Sequence, residues 1–352
     1  MIGYYVHHHG SGHRQQALAI ARHLEDEITL LGSFGPATDI PAPYVELTRD
    51  DVPQPDPADD VRAGGALHWA PLGHAGLRER HGVLARWLST PSVDLLLSDV
   101  SVEVLLLARL LSVPPVAMAQ RGIRGDRAHA TGYDAAVAIL APWTRQTQHE
   151  WPARWLAKTT WVGMVSRFDG WPREPGRCDR PGTCVVLLLG QGGHDLGAAD
   201  LAEAAAVGGT HWHVLGNPSP VTDSSLDAAA GLVLHGYVPD PWALLCGADV
   251  VVAAAGGSAL ADVAAARAPL IAVPQSRPFG EQDDHVRVLS RHGLCVAAAP
   301  WPTRSAWPAL LDRARDIGGD VWAEHSDGGG ARRAASALRE LAAHRWSGGV
   351  RG

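Results

Sequence analysis

Short runs of apolar residues recur along the whole chain, and longer segments with apolar residues at helical spacing separate most of them. Runs of this length predict buried strands, and their alternation with helices predicts an α/β protein with parallel sheets. In the first half they predict strands at 2–6, 28–31, 45–47, 93–99, 116–119, 135–140 and 160–162. In the second half they predict strands at 184–189, 211–215, 232–235, 250–255, 270–273 and 295–298.

The segments between these runs predict the helices and the domain boundaries. The helices are expected at 15–24, 102–111, 198–207, 259–268 and 331–346, with another that ends near residue 88. Prolines and glycines without clear periodicity after residue 163 are typical of an interdomain linker. We therefore expect a first domain at 1–165, a linker at 166–182, a second domain at 183–330 and a C-terminal helix at 331–352. Each domain should be a doubly wound, Rossmann-like sheet, and the two should face each other across a cleft.

Composition narrows the class of protein. A chain of 352 residues with 46% hydrophobic and 19% charged residues is typical of a soluble two-domain protein. The net charge of -7 argues against a nucleic-acid partner, which would require a basic face. No apolar run reaches the roughly 18 to 20 residues that cross a bilayer, and the first residues lack the basic start of a signal peptide. We expect a cytoplasmic protein, and attachment to the inner face of the membrane stays open.

The four cysteines do not predict a functional site. They form no Cys-x-x-Cys pattern and lie mostly in or beside apolar runs, at Cys178, Cys184, Cys246 and Cys295. Reduced, partly buried thiols are the expectation for this arrangement.

The most informative stretch lies at 249–292. Its apolar run ends in Gly256-Gly257-Ser258 at the start of a predicted helix, where free backbone N–H groups and the positive dipole end attract phosphate. Asp262 lies one helical turn deeper, where a carboxylate could accept hydrogen bonds from ribose hydroxyls. Gln282 follows the next strand and could bind sugar hydroxyls. The alternative is that the two glycines only make a tight turn and that Asp262 is a solvated helix residue.

The end of the first strand carries a second group of polar residues. The strand is followed by three histidines and by Gly10-Ser11-Gly12-His13, which places His13 at the tip of a loop at the carboxyl edge of the sheet, where ligands bind in open α/β folds. Strand alternation would put His7 and His9 on one face, where they could bind a metal together with His13. No carboxylate or cysteine lies close in sequence to complete such a site, so we expect no metal. Asp99 ends another strand, and capping the following helix is the favoured role for it.

These motifs resemble the GT-B glycosyltransferases, and most closely the group that contains the peptidoglycan N-acetylglucosaminyltransferase and diacylglycerol galactosyltransferases. Two departures from the family pattern are His285, where Asn is usual, and Asp262, where Glu is commoner. The matching residues are Gly10-Ser11-Gly12-His13-Arg14, Gly256-Gly257-Ser258, Asp262, Val273-Pro274 and Glu281-Gln282 with His285.

The resemblance implies a GT-B fold and an inverting, metal-independent transfer from a UDP-sugar, with N-acetylglucosamine as one candidate sugar. His13 would be the general base that deprotonates the acceptor hydroxyl, and Asp99 would orient it or touch the acceptor. A glycine-rich loop at Gly190-Gln191-Gly192 would face the diphosphate, and the backbone of Val238 would meet the uracil. The UDP-sugar is a co-substrate, and no bound cofactor is implied. The acceptor could be a small molecule, a lipid-linked intermediate or a natural product.

One segment and two rival functions stay open. The arginine-rich segment 120–129 could bind an anionic acceptor, but a solvated loop is the favoured interpretation. A UDP-sugar 2-epimerase has the same fold and a similar nucleotide site, although no acidic pair suited to epimerisation lies near His13. A non-catalytic protein that binds a nucleotide sugar or a metal is the third possibility.

Overall fold

The computed structural model describes residues 1–35, 40–148, 150–174, 176, 181–190, 193–194, 196–216 and 231–344. They form two α/β domains, each built on one parallel sheet. The central strands of both sheets are buried on both faces, because helices cover each side of strands that consist mostly of apolar residues.

The first domain contains a 7-stranded parallel sheet. Its strands are β1 (Ile2–Tyr5), β2 (Ile28–Gly32), β3 (Tyr44–Glu46), β4 (Leu95–Asp99), β5 (Pro115–Met118), β6 (Ala138–Ala141) and β7 (Thr159–Trp161). Its helices are α1 (Ser11–Ala21), α2 (Ala75–Leu88), α3 (Val102–Leu110), α4 (Arg127–Ala135) and α5 (Ala153–Leu156). The strand order is β3-β2-β1-β4-β5-β6-β7.

The second domain contains a 6-stranded parallel sheet. Its strands are β8 (Thr183–Leu188), β9 (Thr210–Leu215), β10 (Leu232–Gly236), β11 (Val250–Ala253), β12 (Leu270–Ala272) and β13 (Val296–Ala297). Its helices are α6 (Ala198–Ala205), α7 (Trp242–Gly247), α8 (Gly257–Ala266), α9 (Glu281–Arg291) and α10 (Trp307–Ile317). The strand order is β10-β9-β8-β11-β12-β13.

Strand order fixes where a ligand can bind. In the first sheet, successive strands are added outward in one direction from β1 and in the other direction from β4. In the second sheet, the same change of direction occurs between β8 and β11. In an open α/β sheet the loops on either side of such a switch point turn apart and leave a crevice at the carboxyl ends of the strands. Most of the predicted site residues follow these four strands, while Val238 follows β10 and Gln282 follows β12, so the topology brings them all to the carboxyl edges of the two sheets.

The last helix, α11 (Gly330–Ala343), returns to the first domain. Its buried face joins the core formed by α1 and the strands β1, β4 and β5, through small residues and Leu338. At the surface, Arg339 pairs with Glu27 at 2.7 Å. The chain therefore crosses between the domains twice, once through the segment after β7 and once before α11.

The predicted α/β fold is confirmed, and each predicted strand is present to within a few residues. Three local predictions are wrong. Helix α1 begins at Ser11 and not at residue 15, helix α4 occupies part of a segment expected to be a loop, and Cys184 is disulfide-bonded rather than reduced. Cys246 and Cys295 are free thiols, and Cys178 lies outside the described residues. Among the described helices, none combines the length and hydrophobicity that a bilayer crossing requires.

Candidate functional site

A histidine and a carboxylate from the two sides of the first switch point meet in the cleft. Nδ1 of His13, in the first turn of α1, lies 2.7 Å from Oδ2 of Asp99 at the end of β4. Gln120 donates a hydrogen bond from Nε2 to Oδ1 of Asp99 at 2.8 Å. Asp99 is fully buried, whereas the side chain of His13 is 27% exposed and lines the cleft. Because Nδ1 lies against the carboxylate, Nε2 is the nitrogen left to accept a proton from a ligand.

The pKa of His13 is raised above its ordinary value. Burial lowers it, but the negative charge of Asp99 and the hydrogen bond to that carboxylate outweigh the burial. The side chain is therefore a stronger base than a solvated imidazole. Such a group can take a proton from a hydroxyl and stabilise the resulting imidazolium.

The backbone on either side of this dyad explains its position. Gly10 has a φ of 77° at the N-cap of α1, which lets the helix begin four residues early and carries His13 into its first turn. Val100 has a φ of 66°, which is unusual for a β-branched residue and sharply ends β4 behind Asp99. The expected N-cap role of Asp99 is wrong, because the side chain of Ser101 caps α3 through the backbone N–H of Val104.

The second domain supplies the opposite wall. Gly256 is the N-cap of α8, and the hydroxyl of Ser258 donates to the carbonyl oxygen of Gly12 across the cleft at 2.9 Å. The gap is so narrow here that a Cβ on Gly12 would lie 2.7 Å from that hydroxyl oxygen. Helices α1 and α8 thus begin on opposite walls. Their first turns border two adjoining cavities of about 260 Å³ and about 630 Å³.

The larger cavity lies over the turn that carries Asp262. Asp262 is 8% exposed and accepts hydrogen bonds from the hydroxyl of Ser166 at 2.7 Å and from Nε of Arg167 at 3.0 Å. Burial raises its pKa, an effect that Arg167 and Ser166 only partly offset. Arg167 also donates to the carbonyl oxygen of Pro239 at 3.0 Å. The alternative of a solvated helix residue is wrong: Asp262 holds the interdomain segment while it faces the cavity.

Gln282 and His285 stand at the end of the smaller cavity, on α9. The Oε1 atom of Gln282 accepts from the backbone N–H of Gln275 at 2.7 Å, which turns its amide nitrogen toward Gly256. Burial lowers the pKa of His285 to about 3, so this imidazole is neutral. Both side chains present fixed, uncharged polar atoms to the cleft.

The other predicted contacts are divided between the two cavities. Gly190 and Gly257 line the smaller one, and Val238 lines the larger one beside the exposed ring of Tyr237. Gln191 and Gly192 lie outside the described residues.

Arg121 and Arg124 of the arginine-rich segment are buried and the segment joins the two domains, so the expectation of a solvated loop is wrong for these two residues, whereas residues 123, 125 and 127 are exposed. Arg121 is 3% exposed and donates to Thr147, and burial lowers its pKa to about 10. Next to it, the backbone N–H of Gly122 donates to Asp284 at 3.2 Å, and that of residue 123 donates to the carbonyl oxygen of Phe279 at 2.8 Å. We call this set of contacts the domain seam. Only Arg127 among the three arginines is exposed.

The histidines after β1 do not follow the predicted alternation. The strand ends at Tyr5, so residues 7–9 are not held in a pleat, and His8 and His9 both turn toward Asp51. The ring of His7 packs against His13, with centroids 5.4 Å apart, but the two do not share a carboxylate. The predicted grouping of His7, His9 and His13 around one ion is therefore not formed.

Sequence reasoning missed three polar residues of the site. Gln120 directly follows a strand end at the carboxyl edge of the sheet, a position that could have identified it. Arg277 donates from its guanidinium to the carbonyl oxygen of Gly193 and lines the smaller cavity. Arg167 lies in the linker, where no local pattern connects it with Asp262 on α8.

Comparison with known proteins gives matches at the level of structure. No family model matches the sequence, and no curated protein sequence matches it. CalG4, the calicheamicin glycosyltransferase, is 16% identical with a TM-score of 0.66 over 97% of this chain and 98% of its own. MurG of Acinetobacter baumannii is 15% identical with a TM-score of 0.63 over 96% and 99%, and LpCGTa in complex with UDP is 13% identical with a TM-score of 0.64 over 97% and 98%. The chain therefore has the GT-B fold.

Proposed function

We propose that this GT-B chain is an inverting glycosyltransferase that moves a sugar from a UDP-sugar to an acceptor hydroxyl. The observation that carries the proposal is the dyad of His13 and Asp99, because His13 lines the same narrow cleft as the N-terminus of α8. A base on one wall and an anion-binding helix end on the other are the two groups that a single displacement at a sugar carbon requires.

In this mechanism Nε2 of His13 removes the proton of the acceptor hydroxyl as its oxygen attacks the anomeric carbon. The bond from that carbon to the diphosphate oxygen breaks, and the nucleoside diphosphate leaves with the bonding electrons. Asp99 stays ionised and stabilises the imidazolium that forms. Attack from the side opposite the leaving group inverts the anomeric centre.

The leaving group would lie against the first turn of α8. Backbone N–H groups near Gly256, Gly257 and Ser258 would stabilise the charge that develops on the diphosphate, so the step as proposed requires no cation. Helix α1 adds a second positive pole through Gly12 on the facing wall.

The nucleoside would occupy the larger cavity, with Val238 beside the base and Asp262 below the ribose. Uridine is the favoured nucleoside because LpCGTa was solved with UDP and has the same fold. Gln282 and His285 would contact the donor sugar, for which N-acetylglucosamine is one candidate. We place the acceptor on the first-domain side of His13, and a small molecule, a lipid-linked intermediate or a natural product would each fit the chemistry of a hydroxyl nucleophile.

Replacement of His13 tests the proposal. His13→Ala should lower turnover by roughly 10²- to 10⁴-fold, the usual contribution of a general base, while the affinity for UDP stays within about 3-fold of wild type. Calorimetric titration with UDP and an assay of UDP release from UDP-sugars over a panel of acceptors would measure the two effects.

The matched control is His292→Ala, which removes an exposed histidine at the end of α9. It should leave both quantities unchanged. Equal loss of binding and turnover in His13→Ala would contradict the role of a base. Conversion of the donor to its C2 epimer without any acceptor would identify an epimerase instead.

A further inference from the structure

A second cluster of polar side chains lies beside the dyad and has no part in the transfer proposed above. Nε2 of His8 lies 3.4 Å from Oδ1 of Asp51, and Nε2 of His9 lies 3.0 Å from Oδ2 of the same residue. The ligand atoms of the three residues all lie within 4.8 Å of one another. We propose that His8, His9 and Asp51 bind one divalent transition-metal ion, with Zn²⁺ and Ni²⁺ as the ions that this donor set suits.

The distances between the proposed ligand atoms match the coordination geometry of a zinc ion. Zinc bonds to imidazole nitrogen and carboxylate oxygen are about 2.0 to 2.2 Å long. In a tetrahedral site, neighbouring donor atoms are then about 3.3 Å apart. The separations from Asp51 to His8 and to His9 lie on either side of this value, so small side-chain rotations would complete the three bonds.

The surroundings of His8 give an independent reason to expect a ligand. Its side chain is 3% exposed, and neither ring nitrogen makes a hydrogen bond with any described residue. Oδ1 of Asp50 is also buried, lies 3.6 Å from Nε2 of His8, and makes no hydrogen bond within the described part of the chain. Buried polar atoms are nearly always satisfied, and a cation between these groups would satisfy them.

One side of the site is open to the cleft. The side chain of His9 is 60% exposed and borders the smaller cavity, so a coordination position would stay available to water or to an oxygen atom of a ligand. Three protein ligands with one open position are the arrangement of metal sites that exchange a ligand. The site belongs to the first domain, whereas the proposed diphosphate contacts of α8 belong to the second. It depends only on the side chains described and not on sugar transfer.

The guanidinium of Arg49 would compete with the metal ion for Asp51, and this competition provides a test of the site. Nε of Arg49 donates to Oδ1 of Asp51 at 2.8 Å, and a terminal nitrogen of the same guanidinium donates to Oδ2. Its side chain is 49% exposed and can rotate into solvent when an ion binds. Arg49→Gln should therefore raise the metal affinity, a result that a nonspecific run of histidines would not give.

Titration of the full-length, tag-free chain with ZnSO₄ and NiCl₂ by calorimetry tests the site. We expect one tight ion per chain and a higher melting temperature in its presence. Asp51→Asn should weaken binding by about 10-fold or more, since even the loss of an outer partner of a ligand costs this much. Arg49→Gln should strengthen binding, and His292→Ala should have no effect. The side chain of Arg49 is 49% exposed and that of Asp51 is 19% exposed, so the folding of both variants is checked by thermal unfolding without metal.

The opposite results would overturn the proposal. These are the absence of metal binding in the wild type, equal affinity in the wild type and Asp51→Asn, or weaker binding in Arg49→Gln. A loss of binding in His292→Ala would place the ion elsewhere and would also reject this site.

Discussion

At the scale of single residues, the function proposed here depends on a pKa shift. His13 must be neutral to accept a proton, and Asp99 raises its pKa above the ordinary value of 6.5. The acid limb of the activity profile should therefore lie above about pH 6.5. The same pair contributes folding free energy that is fully present below that pH and is lost as pH rises through the folded pKa of His13.

Asp99→Asn should move the acid limb to lower pH, because the negative charge that raises the pKa of His13 is removed. Maximal turnover should fall by roughly 10²-fold or more, since the imidazole loses the partner that fixes its tautomer. The pH dependence of kcat/KM, measured from about pH 5 to about pH 9, would show both effects.

Asp134→Asn is the control, because this exposed carboxylate pairs with Arg154 at the surface. Its profile should coincide with that of the wild type. An unchanged acid limb in Asp99→Asn would mean that another group sets the protonation state.

At the scale of secondary-structure elements, α8 contacts both the cleft and the interdomain segment. Its first turn faces the cleft, while Asp262, one turn later, holds the interdomain segment through Arg167. The carboxylate can therefore act on a nucleotide directly through ribose hydroxyls or indirectly through the segment that it anchors. Two substitutions separate these roles.

Asp262→Ala should weaken UDP binding by roughly 10- to 100-fold, because it removes hydrogen bonds between a charged group and the ribose. Arg167→Ala leaves the carboxylate of Asp262 in place and should weaken UDP binding clearly less than Asp262→Ala does. Calorimetry with UDP would measure the difference. Equal losses in the two variants would indicate that Asp262 acts through the interdomain segment alone.

The elements that are predictable from the sequence are those whose signal is local. The strands were recognisable because each buries a short run of apolar residues, and α8 because a glycine turn precedes an alanine-rich segment. Helix α4 was missed because its sequence, RAHATGYDA, has few apolar residues and only nine positions. The early start of α1 depends on the left-handed backbone of Gly10, which the sequence permits but does not require.

The contacts that no local pattern contains join distant parts of the chain. Arg167 and Asp262 are 95 positions apart, and His9 and Asp51 are 42 apart. Such pairs result from the packing of whole elements. For the same reason, the residue pattern favoured a helix cap for Asp99. The family resemblance implied that it orients or lies near His13, and the structure puts the two side chains in contact.

At the scale of the whole molecule, the domain seam joins the two walls of the cleft, and we expect it to set their spacing. A Cβ on Gly122 would lie 2.6 Å from the carbonyl oxygen of Phe279, and the φ of 100° at this position is also unfavourable for any other residue. Gly125, three residues later, has open space around it. The two glycines therefore offer a matched pair of substitutions.

Gly122→Ala should open the seam and penalise the closed arrangement by about 1 to 3 kcal/mol, the usual cost of a disfavoured backbone conformation. The apparent affinity for UDP should fall about 10-fold for each 1.4 kcal/mol, because fewer molecules have both walls in place. Calorimetry would give the affinity, and small-angle X-ray scattering would give the change in overall dimensions. Gly125→Ala should match the wild type, and equal affinities in both variants would show that the seam does not control binding.

The opposed helices α1 and α8 have a consequence for how the protein must be handled. Two positive helix poles face each other across the gap bridged by Ser258 and Gly12, and any small oxyanion between them relieves their mutual repulsion. If the chain acts as proposed, inorganic phosphate or sulfate from a purification buffer should compete with the donor. The released UDP, which keeps both negative phosphates, should be a strong product inhibitor, so rates measured without a phosphatase or coupling enzyme would underestimate turnover.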